Sequence, residues 1–312
     1  MSYILLILGF VLLIKGADYF VEGSSNLAKC LRIPTLIIGL TIVSIGTSSP
    51  EVMVSLIASL RGSSDLSISN VVGSNIFNLL VVLGVSSVIK NLTTRSQVLT
   101  RDFIISIVAT IMVIVFMIDR LFNDYLNNVI NRSEGFILLL AFALYIYTMI
   151  MFSRKRRHVI KEYHSLTKVD IFMLLSGFLA VVLGGELVVK SSREIAISLG
   201  ITETLVGLTL VSIGTSLPEL ITSLVAAKKG EADIAIGNVI GSNICNFLLV
   251  MGLTSFIKPL LVDFKSIIDV IILLIISIFI YLIMLIKKKI TLKTGLILLF
   301  LYLLFMIYII GR

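Results

Sequence analysis

The sequence predicts an all-α polytopic membrane protein: ten transmembrane helices arranged as two inverted five-helix repeats. Three observations carry this expectation. Of the 312 residues, 58% are hydrophobic and only 14% charged, with a mean hydropathy of +1.11 and no Trp, whereas a soluble domain needs roughly 25% charged residues to cover its surface. Apolar runs long enough to cross a bilayer, about 20 residues each, recur along the whole chain. The first half also returns in the second when 168 is added to the residue number, without a gap.

The apolar runs fall near residues 3–22, 33–60, 66–89, 102–118 and 134–152, then 169–189, 201–227, 234–257, 267–286 and 294–310. Residues 1–152 and 169–312 thus form the two repeats. Residues 153–168, SRKRRHVIKEYHSLTK, join them as a polar linker too short to fold alone. The first run has no small-residue cleavage pattern and no basic stretch before it, so it is expected to be retained as a helix.

The formal charge of +8 does not indicate nucleic acid, because the basic residues lie in short loops between apolar runs. They act as an orientation signal. With the termini outside, inner loops hold about 17 Lys and Arg against about 8 on the outer side. A plasma (cell inner) membrane location with both termini outside and the linker inside follows. Arg154 to Arg157 suit anionic headgroups, although a topology signal explains them as well. His158 and His164 read as solvated linker residues, since no Cys or acidic cluster accompanies them. Cys30 and Cys245 lie in or beside apolar segments and suit buried free thiols better than a disulfide framework.

The repeat is far stronger than shared hydrophobicity would give. GLTIVSIGTSSPEVMVSL from Gly39 becomes GLTLVSIGTSLPELITSL from Gly207, and NVVGSNIFNLLVVLG from Asn70 becomes NVIGSNICNFLLVMG from Asn238. Between Gly39 and Ser87 about 28 of 49 positions are identical. Five spans is an odd number, so the second copy enters the membrane from the opposite face. Inverted repeats place ion sites where the halves meet near the bilayer midplane, on helices interrupted by Gly or Pro.

Those interruptions occur at GTSSPE and GTSLPE. Pro50 lacks an N–H and clashes with the carbonyl four residues back, which should free the carbonyl of Gly46 and loosen that of Thr47; Gly214, Thr215 and Pro218 repeat the arrangement. Opened helices present carbonyl and hydroxyl oxygens, the ligands preferred by hard cations. Glu51 and Glu219 lie deep within these spans, where an uncompensated charge costs roughly 2.5 to 3.5 kcal/mol. A single such Glu can be a protonated helix tie. Two at equivalent positions, each in a Gly/Pro break, point to a cation site.

Asn70, Ser74 and Asn78 are spaced four apart and should share a helix face, as should Asn238, Ser242 and Asn246, with Gly73 and Gly241 admitting a close neighbour. Such a stripe alone suits interhelical hydrogen bonding; beside two intramembrane acids it suits a site. Together these groups can supply much of the roughly six to eight oxygens of a Ca²⁺ shell. Two nearby acids cannot both ionise cheaply without a cation between them, so the same pocket suits Na⁺ or protons too. Asp18 and Glu186 form a further equivalent pair near the outer part of the first and sixth spans. Local pairing with Lys15 and Lys190, or interfacial placement, explains them at least as well as an ion path, and they stay outside the candidate site.

The doubled GTSxPE and GSNxxN motifs, with ten spans and a short linker, resemble the sodium/calcium exchanger branch of the calcium/cation antiporter family over nearly the whole chain. The resemblance implies antiport of transported Na⁺ and Ca²⁺, with no cofactor, no protein partner beyond the lipid bilayer, and first and sixth helices that slide across a core. It implies ion ligands at Thr47, Ser48, Glu51, Ser74 and Asn78, at Thr215, Ser216, Glu219, Ser242 and Asn246, and Na⁺ ligation by the carbonyls of Ser44 and Ser212. Several family members carry Asp where this chain has Asn246, so potassium co-transport is not expected. The large cytosolic calcium-sensing insertion of animal exchangers is missing.

Three other functions compete. An intramembrane serine hydrolase lacks a base, since no span contains a His and Lys15 is the only lysine well inside one. A passive channel could use the same oxygens, but inverted repeats with broken helices favour alternating access. A proton-driven antiporter, or one for another divalent cation, is the closer alternative.

Overall fold

A computed structural model describes residues 2–93, 101–118, 128–156, 165–198 and 213–311. The apolar runs become helices because only a helix satisfies every backbone group within its own segment in a water-free layer. They are α1 (Ser2–Leu31), α2 (Thr35–Thr47), α3 (Ser49–Leu60), α4 (Ser64–Ile89), α5 (Phe103–Met117), α6 (Arg132–Arg156), α7 (Lys168–Ser198), α8 (Leu217–Lys229), α9 (Ala232–Ile257), α10 (Phe264–Lys287) and α11 (Leu292–Gly311). Two-residue strands tie loops together: β1 (Leu92–Thr93) pairs antiparallel with β4 (Lys289–Ile290), and β2 (Val129–Ile130) with β3 (Leu260–Leu261).

Among the described residues seven helices are long and apolar enough to span a bilayer, or eight if α2 and α3, bent by 44°, are one broken span. Two of the ten expected spans are absent from this count. At 15 residues α5 is only about 22 Å long, short of the usual 20 residues. Residues 199–212, most of the segment before α8, lie outside the described residues, as do His158 and His164. The first and sixth spans run on past their expected ends, to Leu31 and Ser198. Charged residues that looked like boundaries are carried inside the helices, and Asp18 and Glu186 therefore sit near mid-helix.

Polarity is inverted relative to a soluble protein. Ile4, Ile7, Phe172, Ile286 and Ile307 are exposed, whereas Asn70, Ser74, Asn78, Asn238, Ser242 and Asn246 are completely buried. At the centre stand α4 and α9, with 72% and 94% of their most apolar stretches buried, against 17% for α11. Each contains a π-helical turn, Asn78–Val82 in α4 and Asn246–Met251 in α9, starting at residues 168 apart. A third, Gly39–Val43, lies in α2. Such turns loosen the i to i−4 ladder and often mark functional sites.

Lining the outside of this core, α1 and α7 pack against each other through glycines. A Cβ on Gly9, Gly16 or Gly23 would come within 3 Å of Val188, Val181 or Leu174 respectively. Each step of seven forward in α1 is a step of seven backward in α7, so the two helices are antiparallel. Side chains larger than Gly at these positions would force them apart. The start of α7 is fixed by a reciprocal cap, in which Thr167 N–H donates to Asp170 Oδ2 at 2.8 Å and Asp170 N–H to Thr167 Oγ1 at 3.2 Å.

Candidate cation site between the two halves

Each half places its glutamate at the start of a helix. Ser48 and Ser216 leave helical geometry, and α3 and α8 begin just after them, with Pro50 and Pro218 in the first turn. Proline is tolerated there because first-turn N–H groups have no intrahelical acceptor. Glu51 and Glu219 consequently sit at the positive ends of two helix dipoles, which favour negative charge. Both are completely buried.

The hydroxyls around them cross between halves. Ser216 Oγ donates to Glu51 Oε1 at 3.2 Å, and Ser48 Oγ donates to Glu219 Oε1 at 2.9 Å. From within each half, Ser74 Oγ and Ser242 Oγ lie 3.4 Å from those same oxygens of Glu51 and Glu219. Thr47 Oγ1 donates to Asn238 Oδ1 at 2.9 Å and Thr215 Oγ1 to Asn70 Oδ1 at 3.2 Å. A hydroxyl that has given its one hydrogen away presents only lone pairs.

Ten of the twelve sequence-derived ligands, Thr47, Ser48, Glu51, Ser74, Asn78 and their counterparts Thr215, Ser216, Glu219, Ser242 and Asn246, are brought together in this buried region. The Ser44 carbonyl borders it, accepting Ser48 N–H at 3.0 Å and lying 3.5 Å from Ser242 Oγ. Ser212 lies outside the described residues. Gly241 allows the approach, since a Cβ there would meet Ser44 Oγ at 2.6 Å.

Two expectations need correcting. Proline should have freed the Gly46 carbonyl for the cavity, but Ser49 Oγ, at the start of α3, donates to it at 2.8 Å and recaptures it. Asn70 and Asn238 do not face an ion with their neighbours on the polar stripe. Asn70 Nδ2 reaches Ser55 Oγ at 2.9 Å and the Glu51 carbonyl at 3.4 Å, and Asn238 Nδ2 reaches Ser223 Oγ at 2.9 Å and the Glu219 carbonyl at 3.3 Å. Both amides are struts that hold the glutamate backbone of one half and the threonine of the other.

Four buried oxygens of the cluster, Glu51 Oε2, Glu219 Oε2, Asn78 Oδ1 and Asn246 Oδ1, have no hydrogen-bond donor. Buried polar atoms are normally satisfied. All four of these are acceptors, so the arrangement suits a cation and not an anion. No group of three or more His, Cys, Asp or Glu is placed to hold a metal among the described residues; the cluster instead mixes two acids with neutral oxygens.

The flanks of this cluster differ. A cavity of about 560 Å³ lies between α3 and α7, lined by Pro50, Met53, Glu186, Lys190, Thr215 and Pro218 among others. On the equivalent flank, Lys229 at the end of α8 reaches α1, with Nζ 2.9 Å from Asp18 Oδ1 and 3.0 Å from Glu22 Oε2. Asp18 therefore pairs across the halves and not with Lys15.

Broken helices that meet at buried acids, within helices clad in apolar side chains, define a class: polytopic membrane transporters of cations. Residues 1–151 and 169–311 match the family described as sodium/calcium exchanger protein. The chain belongs to the sodium/calcium exchanger family, a family of cation antiporters and not of enzymes. It is 36% identical over 270 residues to putative antiporter CaxA of Alkalimonas amylolytica, covering 83% of this chain and 82% of that protein. Against sodium/calcium exchanger MaX1 of Methanosarcina acetivorans it is 33% identical over 293 residues, covering 83% and 84%. Among solved structures, the sodium-calcium exchanger NCX_Mj soaked with 2.5 mM Na⁺ and 10 mM Sr²⁺ superposes with a TM-score of 0.85 at 30% identity, covering 97% of both chains.

Proposed function

We propose that this protein exchanges Na⁺ for Ca²⁺ by alternating access at a midplane site formed by Glu51 and Glu219. The observation that carries this reading is the set of four donor-free buried oxygens, two of them on acids contributed by opposite halves. Two carboxylates balance one Ca²⁺ or two Na⁺. The amide oxygens of Asn78 and Asn246 and the hydroxyls of Thr47, Ser48, Ser74, Thr215, Ser216 and Ser242 extend the shell toward the coordination number of Ca²⁺. The Ser44 and Ser212 carbonyls serve flanking Na⁺.

In this reading residues 1–152 and 169–312 are inverted five-helix repeats joined by the linker 153–168, ten spans in all. Support comes from α1 and α7, which occupy equivalent places in the two repeats and run antiparallel. The flanking cavity supports alternating access, since it reaches Thr215 on one flank while on the equivalent flank Lys229 ties α8 to α1. The chain resides in the plasma (cell inner) membrane with both termini outside. A relative, inner membrane protein YrbG of Escherichia coli, is 35% identical over 268 residues, covering 82% of this chain and 79% of that protein.

Donor-free carboxylate oxygens accept protons as readily as metal ions, so proton/calcium antiport is the second reading. Purified protein in sealed vesicles separates the two. Ca²⁺ uptake should follow an opposing Na⁺ gradient at fixed pH and ignore a pH gradient in the absence of Na⁺. Uptake driven by protons alone would establish the second reading, and uptake indifferent to both would make the protein a channel.

A further inference from the structure

We propose that Asn75 and Asn243 are positioning residues that set the polarity of the Asn78 and Asn246 amides, so that each presents its oxygen to the cation. This rests on the reading of Asn78 and Asn246 as ligands. An amide is a two-ended group, an acceptor oxygen at one end and an NH₂ donor at the other, of almost the same shape. As a cation ligand it works one way round only; reversed, it points hydrogens at a positive charge. Something must choose, and the two ends look alike to packing.

The choice traces back to backbone carbonyls, which cannot be reversed. Asn243 Nδ2 donates to the carbonyl of Asn75 at 3.3 Å, and Asn75 Nδ2 lies 3.5 Å from the carbonyl of Asn243. With their NH₂ ends committed, Asn75 and Asn243 turn their oxygens toward the neighbouring amides. Asn246 Nδ2 donates to Asn75 Oδ1 at 3.0 Å, and Asn78 Nδ2 donates to Asn243 Oδ1 at 3.1 Å. The donor ends of both ligand amides are thereby consumed at the junction of the halves. Their oxygens are the ends left over, buried and without a donor, one helical turn beyond the Ser74 and Ser242 hydroxyls that touch the glutamates. All four asparagines are at least 97% buried, so water cannot easily substitute for a lost partner.

The relay makes Asn75 matter through Asn246 and not through packing. Replacing Asn75 by Leu keeps the volume and removes the acceptor, so the Asn246 amide is free to turn its NH₂ toward the ion. A carboxylate has oxygens at both ends and cannot be misoriented. Dependence on residue 75 should therefore vanish when residue 246 is Asp.

The test is a double-substitution cycle read as the Ca²⁺ concentration for half-maximal uptake into vesicles, with the amount of folded protein checked by monodisperse elution in detergent. Asn75→Leu should raise that concentration about tenfold with little change in maximal rate. In an Asn246→Asp background the same Asn75→Leu change should alter it by less than about twofold. An equal rise in both backgrounds would reduce Asn75 to a packing residue and overturn the proposal. If Asn246→Asp and Asn246→Leu both leave Ca²⁺ dependence untouched, it is the ligand reading that fails instead. Should Asn75→Leu not fold, Asn243→Leu tested against Asn78 and Asn78→Asp carries the same prediction on the other amide.

Discussion

At the break before α3, Ser48 has φ −82° and ψ 6°; at the break before α8, Ser216 has φ −88° and ψ 4°. Around these breaks the hydrogen bonds of one half recur in the other with residue numbers shifted by 168. The flanks, by contrast, have diverged. Lys229, Asp18 and Glu22 form two ion pairs on one side, but their equivalents on the other side are Arg61, Glu186 and Lys190. The acid at 22 corresponds to a base at 190, so the second of these attractions has no counterpart in the sequence of the other flank. The cavity opens on the side that lacks the attraction. On the proposed alternating-access reading, a site that binds the same ions from either side has reason to stay symmetric, whereas two routes facing different compartments are free to differ.

The symmetric centre predicts equal and severe losses. Glu51→Gln and Glu219→Gln keep the shape and remove the charge that balances the ion, a change worth roughly 3 kcal/mol or more for a buried partner. Each should reduce Ca²⁺ uptake by about two orders of magnitude while the protein still elutes as a folded species. Substantial flux in one of the two, with loss in the other, would show that the halves are not equivalent at the centre.

The flanks predict unequal effects. In a Cys30→Ser background, Val189→Cys lines the cavity and should react with an impermeant thiol reagent applied to intact cells, while Val21→Cys, its buried equivalent, should not. Lys229 and its acids are partly exposed, with 28%, 41% and 49% of their side-chain surfaces accessible, so each pair contributes only about 0.2 to 1 kcal/mol. Lys229→Ala removes both pairs and should then shift the balance of access by about twofold to thirtyfold. Labelling of Val189→Cys would fall, and Val21→Cys would become reactive from the linker side. Lys190→Glu, which places an acid at the position equivalent to Glu22, should act in the same direction. No change with either substitution would remove the ion pairs from control of access.

Much of the centre was legible because duplicated motifs filter out chance: a glutamate beside a proline is ambiguous once and informative twice. The sequence located both acids and their hydroxyl neighbours. It misjudged Asn70 and Asn238, since periodicity says which residues share a face and not whether that face meets an ion or another helix. Asn75 and Asn243 carry no signal of their role in the sequence, although both stand in the repeated GSN triplets. Their role depends on contacts between halves, which spacing within one helix does not report. The sequence ends the first span too early because the partner of Asp18 and Glu22, Lys229, lies more than 200 residues away.

The smallest effect tests the same symmetry most finely. Thr47 and Thr215 each give a hydrogen to the strut amide of the opposite half, at 2.9 and 3.2 Å. Thr47→Ala removes one hydroxyl oxygen from the proposed cation shell and takes the Thr47 hydrogen bond from Asn238 Oδ1, but leaves the backbone carbonyl of residue 47 in place. A neutral hydrogen bond of this kind contributes about 1 kcal/mol, which corresponds to roughly a fivefold rise in the Ca²⁺ concentration for half-maximal uptake. Thr215→Ala should do the same within about twofold, because Asn70 is held as Asn238 is. Thr→Ser at either position keeps the hydroxyl and should restore most of the affinity. A large loss at one threonine with none at the other would mean that the open cavity, which Thr215 lines and Thr47 does not, reaches into the binding step itself, and that the boundary between symmetric centre and divergent flank runs between these two residues.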